Sequence, residues 1–399
     1  MELPSSCDAL VIGAGPAGSA AAVMLARAGA RVVLVDQGVF PRDKVCGDGL
    51  ISDALGALNA LGVREAVLRD AVPVPELCVQ APFGRPVVLP GEFACLPRGR
   101  LDAILADAAR QAGASVTFGV TAAGGLIDNG RVAGARLRSA GQAVDVRAGV
   151  TVLATGASAS ALKTFGLDAD MQPGGVAGRA YFQAPPELAA RYRSLVIGYD
   201  RSWCPGYGWI FPSPGGRFNI GVGLFTESST ERRLKEFWRV FTSRFAQAAE
   251  IIRASTLVTP FRGAPLRTAM RGGSFGRDGL VAIGEAASLT YAATGEGIGK
   301  AMESGIIAAR HVMEALSGRA PVGSVHRAYE AEFRDRFSLR YRAYSVAQAW
   351  AAHPFILSLL AARTNAGTFA RAELQDLIAE RGDCKTLFSK RGLLKALLK

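Results

Sequence analysis

The sequence predicts an α/β chain: a parallel sheet built from separated stretches, an inserted antiparallel sheet, and a helical C-terminal region. Three observations carry that prediction. A buried-strand pattern, Cys7 to Ile12, runs into Gly13-Ala14-Gly15-Pro16-Ala17-Gly18 and an alanine-rich helical stretch, then a second apolar strand ending in Asp36. Strand patterns ending in small residues recur far downstream, at Thr151-Val152-Leu153-Ala154-Thr155-Gly156 and at Leu280 to Glu285. Between them, from about 165 to 270, the pattern is strand-rich with a helical insert near 230–253.

Each element has a physical reason. Gly13 allows a tight turn, Gly15 lets backbone approach a pyrophosphate, and Gly18 lets helix pack on sheet. The helix N-terminus offers N–H groups and a positive dipole end to phosphates. Asp36 is placed to accept from ribose hydroxyls. Strand, turn, helix, strand and acid in this order are Rossmann-like and predict an adenine dinucleotide. The motif opens the chain, which favours FAD over NAD. A loop (37–49) and a helix (52–61) follow, then short strands over 72–96. Residues 98–112 form a helix with Leu101, Ile104, Leu105 and Ala108 on one face. Short strands over 115–150 surround the Asn129-Gly130 turn. A helix spans 297–316, and the chain is mostly helical from 325. The dinucleotide unit is therefore discontiguous: 1–75, 97–160 and 272–320. The β-rich substrate unit takes 76–96 and 161–271, and the helical region takes 321–399.

Composition narrows the class. The 399 residues are 49% hydrophobic, ample for a large core. Six cysteines (7, 46, 78, 95, 204, 384) form no CxxC and no His/Cys cluster, so neither a metal site nor a disulfide framework is expected. A reduced cytoplasmic setting fits, peripheral to the inner face of a membrane. The net charge of +12 suits an anionic lipid, a diphosphate substrate or an acidic electron donor. No basic stripe interleaved with aromatics appears, so nucleic acid is not an expected partner. Val346 to Ala362 is broken by Gln348, His353-Pro354 and Ser358, which predicts a kinked core or interfacial helix rather than a span. The tail Lys390 to Lys399 is basic and amphipathic, and is read either as a frayed helix or as a weak membrane-surface contact. His311, His326 and His353 sit in no motif.

Four segments join the opening turn: Phe40-Pro41-Arg42-Asp43-Lys44-Val45-Cys46-Gly47-Asp48-Gly49; Arg98-Gly99-Arg100-Leu101-Asp102; Pro205-Gly206-Tyr207-Gly208-Trp209-Ile210-Phe211-Pro212; and Gly284-Glu285-Ala286-Ala287 with Thr294-Gly295-Glu296-Gly297-Ile298. Together they resemble the geranylgeranyl reductase family of FAD-dependent oxidoreductases, within the para-hydroxybenzoate-hydroxylase-like flavoproteins. The resemblance covers residues 7 to about 320. It implies that Arg98 lies along FAD, that Gly284-Glu285 sit at the pyrophosphate and ribityl chain, and that Thr294 to Ile298 turn N–H groups toward the flavin. The cofactor set expected is Gly13, Ala14, Gly15, Pro16, Ala17, Gly18, Asp36, Gln37, Lys44, Val45, Cys46, Gly47, Arg98, Ala154, Thr155, Gly156, Gly284, Glu285, Gly295, Glu296, Gly297 and Ile298. Two departures stand out. Glu285 replaces the family's usual Asp, and Ala154-Thr155-Gly156 lacks the Asp-Gly common in hydroxylase relatives, which weakens a hydroxylase reading.

Tyr207, Trp209, Phe211 and Pro212 match the family's Tyr-x-Trp-x-Phe-Pro pattern, which implies contact with substrate. Alternate residues of a strand share a face, so Tyr207, Trp209 and Phe211 form an aromatic wall suited to an apolar polyene; they also suit an ordinary core. The resemblance places Cys46 near the flavin ring. The expected activity is saturation of C=C bonds in a prenyl (geranylgeranyl-type) lipid or diphosphate by hydride from reduced flavin. Cys46, Tyr207 and Trp209 are the catalytic candidates, and Cys46, Tyr207 or water is the proton source. Electrons would come from NADPH, bound without a Rossmann unit of its own, or from a ferredoxin-type protein. The alternatives are a flavin monooxygenase or halogenase, a membrane-peripheral electron-transfer flavoprotein, and a flavin-dependent cyclase without net redox.

Overall fold

A computed structural model describes residues 3–167, 174–225, 230–270 and 272–381. The basic tail at 390–399 and Cys384 lie outside them. The first sheet runs Gly276–Arg277, Leu280–Ala282, Gln142–Leu153, Ser6–Ile12, Val32–Asp36, Ser115–Phe118. From Leu280–Ala282 onward these strands pair in parallel, with Leu10 opposite both Val33 and Thr151. Leu10, Val11, Leu34, Val152 and Val281 are completely buried, as expected of strands covered on both faces. The helix Pro16–Arg27 packs between Arg98–Gln111 and Ile298–Leu316. The hairpin Val120–Asp128 and Arg131–Ser139 turns at Asn129 and Gly130, both at positive φ, and pairs with the start of Gln142–Leu153.

The second sheet runs Thr256–Leu266, Gly175–Gln183, Arg217–Leu224, Gly206–Ser213, Leu195–Gly198, Val72–Gln80, Val87–Cys95, Gly49–Leu50. It is antiparallel except where Leu195–Gly198 lies parallel to Val72–Gln80. One face is closed by the helices Glu231–Arg244 and Ala246–Ala254, whose Leu234, Phe237, Phe241 and Ile251 pack on Trp203, Phe218, Ile220 and Val222. A Cβ on Gly208 would lie 2.2 Å from the Phe241 ring, so glycine is what seats that ring. The opposite face carries Tyr207, Trp209 and Phe225 toward the first sheet.

Several details differ from the sequence reading. Gly49–Leu50, inside the stretch assigned to the dinucleotide unit, pairs with Ala94 and Cys95 of the second sheet. The strands within 72–96 are nine residues each. Leu162, Phe165 and Leu167, assigned to the β-rich unit, pack in the first core. A helix Arg64–Asp70, not anticipated, follows Ser52–Ala60. The apolar stretch at 346–362 is divided between Val325–Ala351 and Pro354–Ala366, with a bend of 112°. Among the described residues, no single helix is long and apolar enough to cross a membrane.

Candidate active site

A cavity of about 660 Å³ lies between the C-terminal ends of the parallel strands and the open face of the second sheet. Gly13, Gly15, Pro16, Ala17, Asp36, Gln37, Lys44, Val45, Cys46, Gly47, Arg98, Ala154, Thr155, Gly156, Glu285, Gly295, Glu296, Gly297 and Ile298 all line it, as do Tyr207, Trp209 and Phe211. Four expected residues do not. Ala14 donates its N–H to Asp36 Oδ2 (2.8 Å) behind the turn. Gly18 and Gly284 pack against Gly13 and Ala17. Pro212 sits one residue past Phe211, so strand alternation turns it to the other face. The last point corrects the reading of Pro212 as a substrate contact.

The turn end is built for anions. The first-turn N–H groups of Pro16–Arg27 face the cavity, and Arg98 and Arg42 bring Nη2 atoms to 3.7 and 3.8 Å from the Cβ position of Gly15. Arg98 is held by Asp102 through Nε (2.7 Å) and Nη2 (2.9 Å). Asp36 is fixed by the N–H groups of Ala14 and Gly38, both at 2.8 Å, and by Arg42 at 3.4 Å. Thr155 Oγ1 is buried at the wall without a hydrogen-bond partner among the described residues. Glu285 Oε1 accepts from the Arg267 N–H (3.2 Å), so that oxygen is already engaged.

The far end is held by a network that the sequence did not reveal. Asp48, at φ +67°, is buried. Its carboxylate accepts from the Tyr181 hydroxyl and from Asn219 Nδ2 (2.8 Å), while Oδ1 accepts from the Arg98 N–H (3.3 Å). Asn219 Nδ2 also reaches the Cys46 carbonyl (2.8 Å), and Asn219 Oδ1 accepts from Trp209 Nε1 (2.9 Å). Arg179, fully buried, stacks over Tyr181 and donates to Asp43 and to the Lys44 carbonyl (3.2 Å). The loop carrying Cys46 is thereby anchored to both sheets. Asp48 lay within a motif already picked out, but Tyr181, Asn219 and Arg179 come from strands with no local signal.

Burial raises proton affinity at this end. It pushes the Asp48 carboxyl up to about 6, against hydrogen bonds from Tyr181 and Asn219. It raises the Cys46 thiol, with help from Asp48 and opposition from Arg98. The Glu296 carboxyl is held well above the ordinary range by burial, then by Asp53 and Glu380, against Lys300 and Arg340. Lys300, on the first turn of Ile298–Leu316, meets Glu303 (2.5 Å), Glu380 (3.2 Å) and Asp53 (3.5 Å). Burial opposes its charge, but these three carboxylates outweigh it. Tyr207 donates to the Thr294 carbonyl and Trp209 to Asn219, so both donors are committed. The Cys46 thiol instead accepts from the Asp48 N–H (3.3 Å).

Comparison with known proteins agrees with this geometry. A family model described as FAD binding domain matches residues 6–339. The digeranylgeranylglycerophospholipid reductase of Methanosarcina mazei is 30% identical over 341 residues, 82% of this chain and 80% of that protein. The chain belongs to the geranylgeranyl reductase family of FAD-dependent oxidoreductases. A menaquinone reductase of Mycobacterium tuberculosis is 31% identical over 369 residues, 87% of this chain and 84% of that protein. The crystal structure of a geranylgeranyl bacteriochlorophyll reductase-like protein from Thermoplasma acidophilum superposes with a TM-score of 0.79 at 25% identity, covering 99% of this chain and 96% of that one. The family member described here is an oxidoreductase with FAD as its cofactor. Its residues fit that group: a helix N-terminus with two guanidinium groups for the diphosphate, Asp36 for a ribose, and the unpartnered Thr155 hydroxyl along the wall.

Two outcomes follow. Gly15 has an ordinary φ of −74°, and a Cβ there would meet first the ends of Arg98 (3.7 Å) and Arg42 (3.8 Å), so the side chain of Gly15→Val intrudes on the anion end. It should cost no more than about 1 kcal/mol of apo-protein stability. Bound FAD, read by flavin absorbance after desalting, should fall at least about tenfold, the equivalent of about 1.4 kcal/mol. For Asp48, the folded-state value lies above the unfolded one, so its contribution is full below about pH 4 and lost as pH rises through about 6. In urea unfolding, wild type relative to Asp48→Asn should therefore lose up to about 3 kcal/mol between pH 4 and 7. A flat difference would contradict the assignment.

Proposed function

We propose that this protein saturates C=C bonds of a prenyl chain carried on a membrane lipid. One observation carries the reading: the anion-binding turn and an apolar aromatic wall belong to a single cavity. Leu77, Val79, Phe93, Leu195, Ile197 and Ile378 extend the wall of Tyr207, Trp209, Phe211 and Phe225. A polyene has no polar partners to satisfy, and such a wall desolvates it at no hydrogen-bonding cost. Reduced FAD held beside this wall would supply hydride, and the protein would supply position and a proton.

Of the two side chains expected as proton source, Tyr207 and Cys46, only the thiol is left uncommitted. Tyr207 and Trp209 already donate to Thr294 and Asn219, so their role is to shape the wall. The Cys46 thiol, kept protonated by burial and anchored through Asp48, is the donor in this reading. The names of the relatives support a prenyl-bearing substrate. That of the Mycobacterium tuberculosis relative favours, as a second class, a quinone in place of a glycerolipid. The +12 charge supports an acidic ferredoxin-type donor, with NADPH as the other source of electrons. The basic tail at 390–399 would add a membrane-surface contact.

Anaerobic incubation of dithionite-reduced protein with geranylgeranyl glycerolipids or with menaquinone tests the proposal by mass spectrometry. Products heavier by whole multiples of two hydrogens, counted after any quinol has been reoxidised to the quinone, are expected, and the class that reacts identifies the headgroup. No mass gain with either class, or turnover only with oxygen consumption, would overturn it.

A further inference from the structure

The loop between Val72–Gln80 and Val87–Cys95 carries Phe83, 43% exposed, stacked on Phe355, 78% exposed, with ring centroids 5.6 Å apart. Leu359, one turn further along Pro354–Ala366, is 45% exposed. Loop and helix are fastened into one ridge. The Phe83 N–H donates to Ser358 Oγ (3.1 Å), and Asn365 Nδ2 donates to the carbonyls of Arg85 (3.3 Å) and Pro86 (3.2 Å). Beneath the ridge, Ala81, Val87, Leu89 and Ala361 form a small core with Val79 and Ile378 at its inner edge. Val79 and Ile378 also line the cavity. One packed apolar cluster thus lies between the cavity wall and the exposed ridge.

The helix explains why the ridge is exposed. Phe355, Ile356, Leu357, Leu359 and Leu360 spread apolar side chains over about 200° of the helix, wider than the stripe a single packed face covers, so part of the arc stays exposed. Its 13 residues span about 20 Å, short of the roughly 30 Å of a bilayer core. It breaks from the preceding helix at 112°, so the two do not form one straight span. Charge then selects the partner. No Asp or Glu occurs from Arg336 to Ala372, or from Leu77 to Gly91. Arg85 and Arg363 stand exposed at the two sides of the ridge. A second copy of this chain would oppose arginines to arginines, whereas an anionic bilayer complements them.

We propose that this ridge seats the protein on an anionic bilayer, with Phe83, Phe355 and Leu359 at the headgroup–acyl boundary and Arg85 and Arg363 on lipid phosphates. A prenyl chain then passes from the bilayer along Val79 and Ile378 into the cavity without crossing water. This route rests on the prenyl-lipid reading above, but binding to vesicles is measured without turnover, so either can fail alone.

Flotation with phosphatidylglycerol–phosphatidylcholine vesicles, at about 1:2, tests the ridge. The full chain should float, and Phe83→Ser/Phe355→Ser/Leu359→Ser should lower the bound fraction at least tenfold with wild-type thermal stability. Leu257→Ser/Val258→Ser, which changes equally exposed apolar residues on another edge, should leave flotation unchanged. A chain ending at Arg381 should still float. Undiminished flotation of the triple variant would overturn the proposal. So would loss of flotation on truncation alone, or ridge-dependent dimers in sedimentation without vesicle binding.

Discussion

Backbone meets backbone where the first helix begins, and the rest of the molecule is arranged around that contact. A Cβ on Gly18 would lie 1.8 Å from the Gly13 carbonyl oxygen, and one on Gly13 would lie 2.3 Å from that of Ala154. A Cβ on Gly305 would lie 2.3 Å from the Ala17 carbonyl oxygen. Two segments far apart in sequence are therefore brought within contact of one turn. The Gln142–Leu153 strand ends against it, Ile298–Leu316 packs along its helix, and the N–H groups left over point into the cavity. Without these glycines the residues around 154–156 and 284–298 could not line the same cavity.

The second constraint lies at the seam between the sheets. The loop at 40–49 leaves the first sheet and is caught by the second through Asp48, Asn219, Tyr181 and Arg179. A non-glycine residue at positive φ persists only where its surroundings over-determine it, and the hydrogen bonds on Asp48 do so. The same burial that makes those bonds matter raises the Asp48, Cys46 and Glu296 groups above their ordinary values. An apolar wall and a set of groups with raised proton affinity thus share one physical origin, the exclusion of water. Lys300 remains charged only because three carboxylates surround it, and that cluster sits beside the start of the helix after Gly297.

The sequence made legible what local patterns encode. The turn at Gly13 to Gly18, its acid Asp36 and the aromatic alternation at Tyr207, Trp209 and Phe211 all lie where their spacing implied. Non-local pairing was not legible. Nothing near Asn219 announces that it bridges Trp209 to Asp48, because its partners are tens to hundreds of residues away. Pro212 misled because a family pattern does not record which face of a strand a residue takes. Glu285 keeps its place at the cavity despite the longer side chain, which reaches the Arg267 N–H.

The central claim is that a single cavity presents a prenyl chain to the flavin. Anaerobic stopped-flow mixing of photoreduced holoenzyme with a geranylgeranyl glycerolipid tests it most directly. The account predicts oxidised flavin absorbance returning with the unsaturated chain, one flavin per double bond lost, and none with its fully saturated counterpart. Flavin that stays reduced with every prenyl lipid, yet reoxidises at once in oxygen, would contradict it.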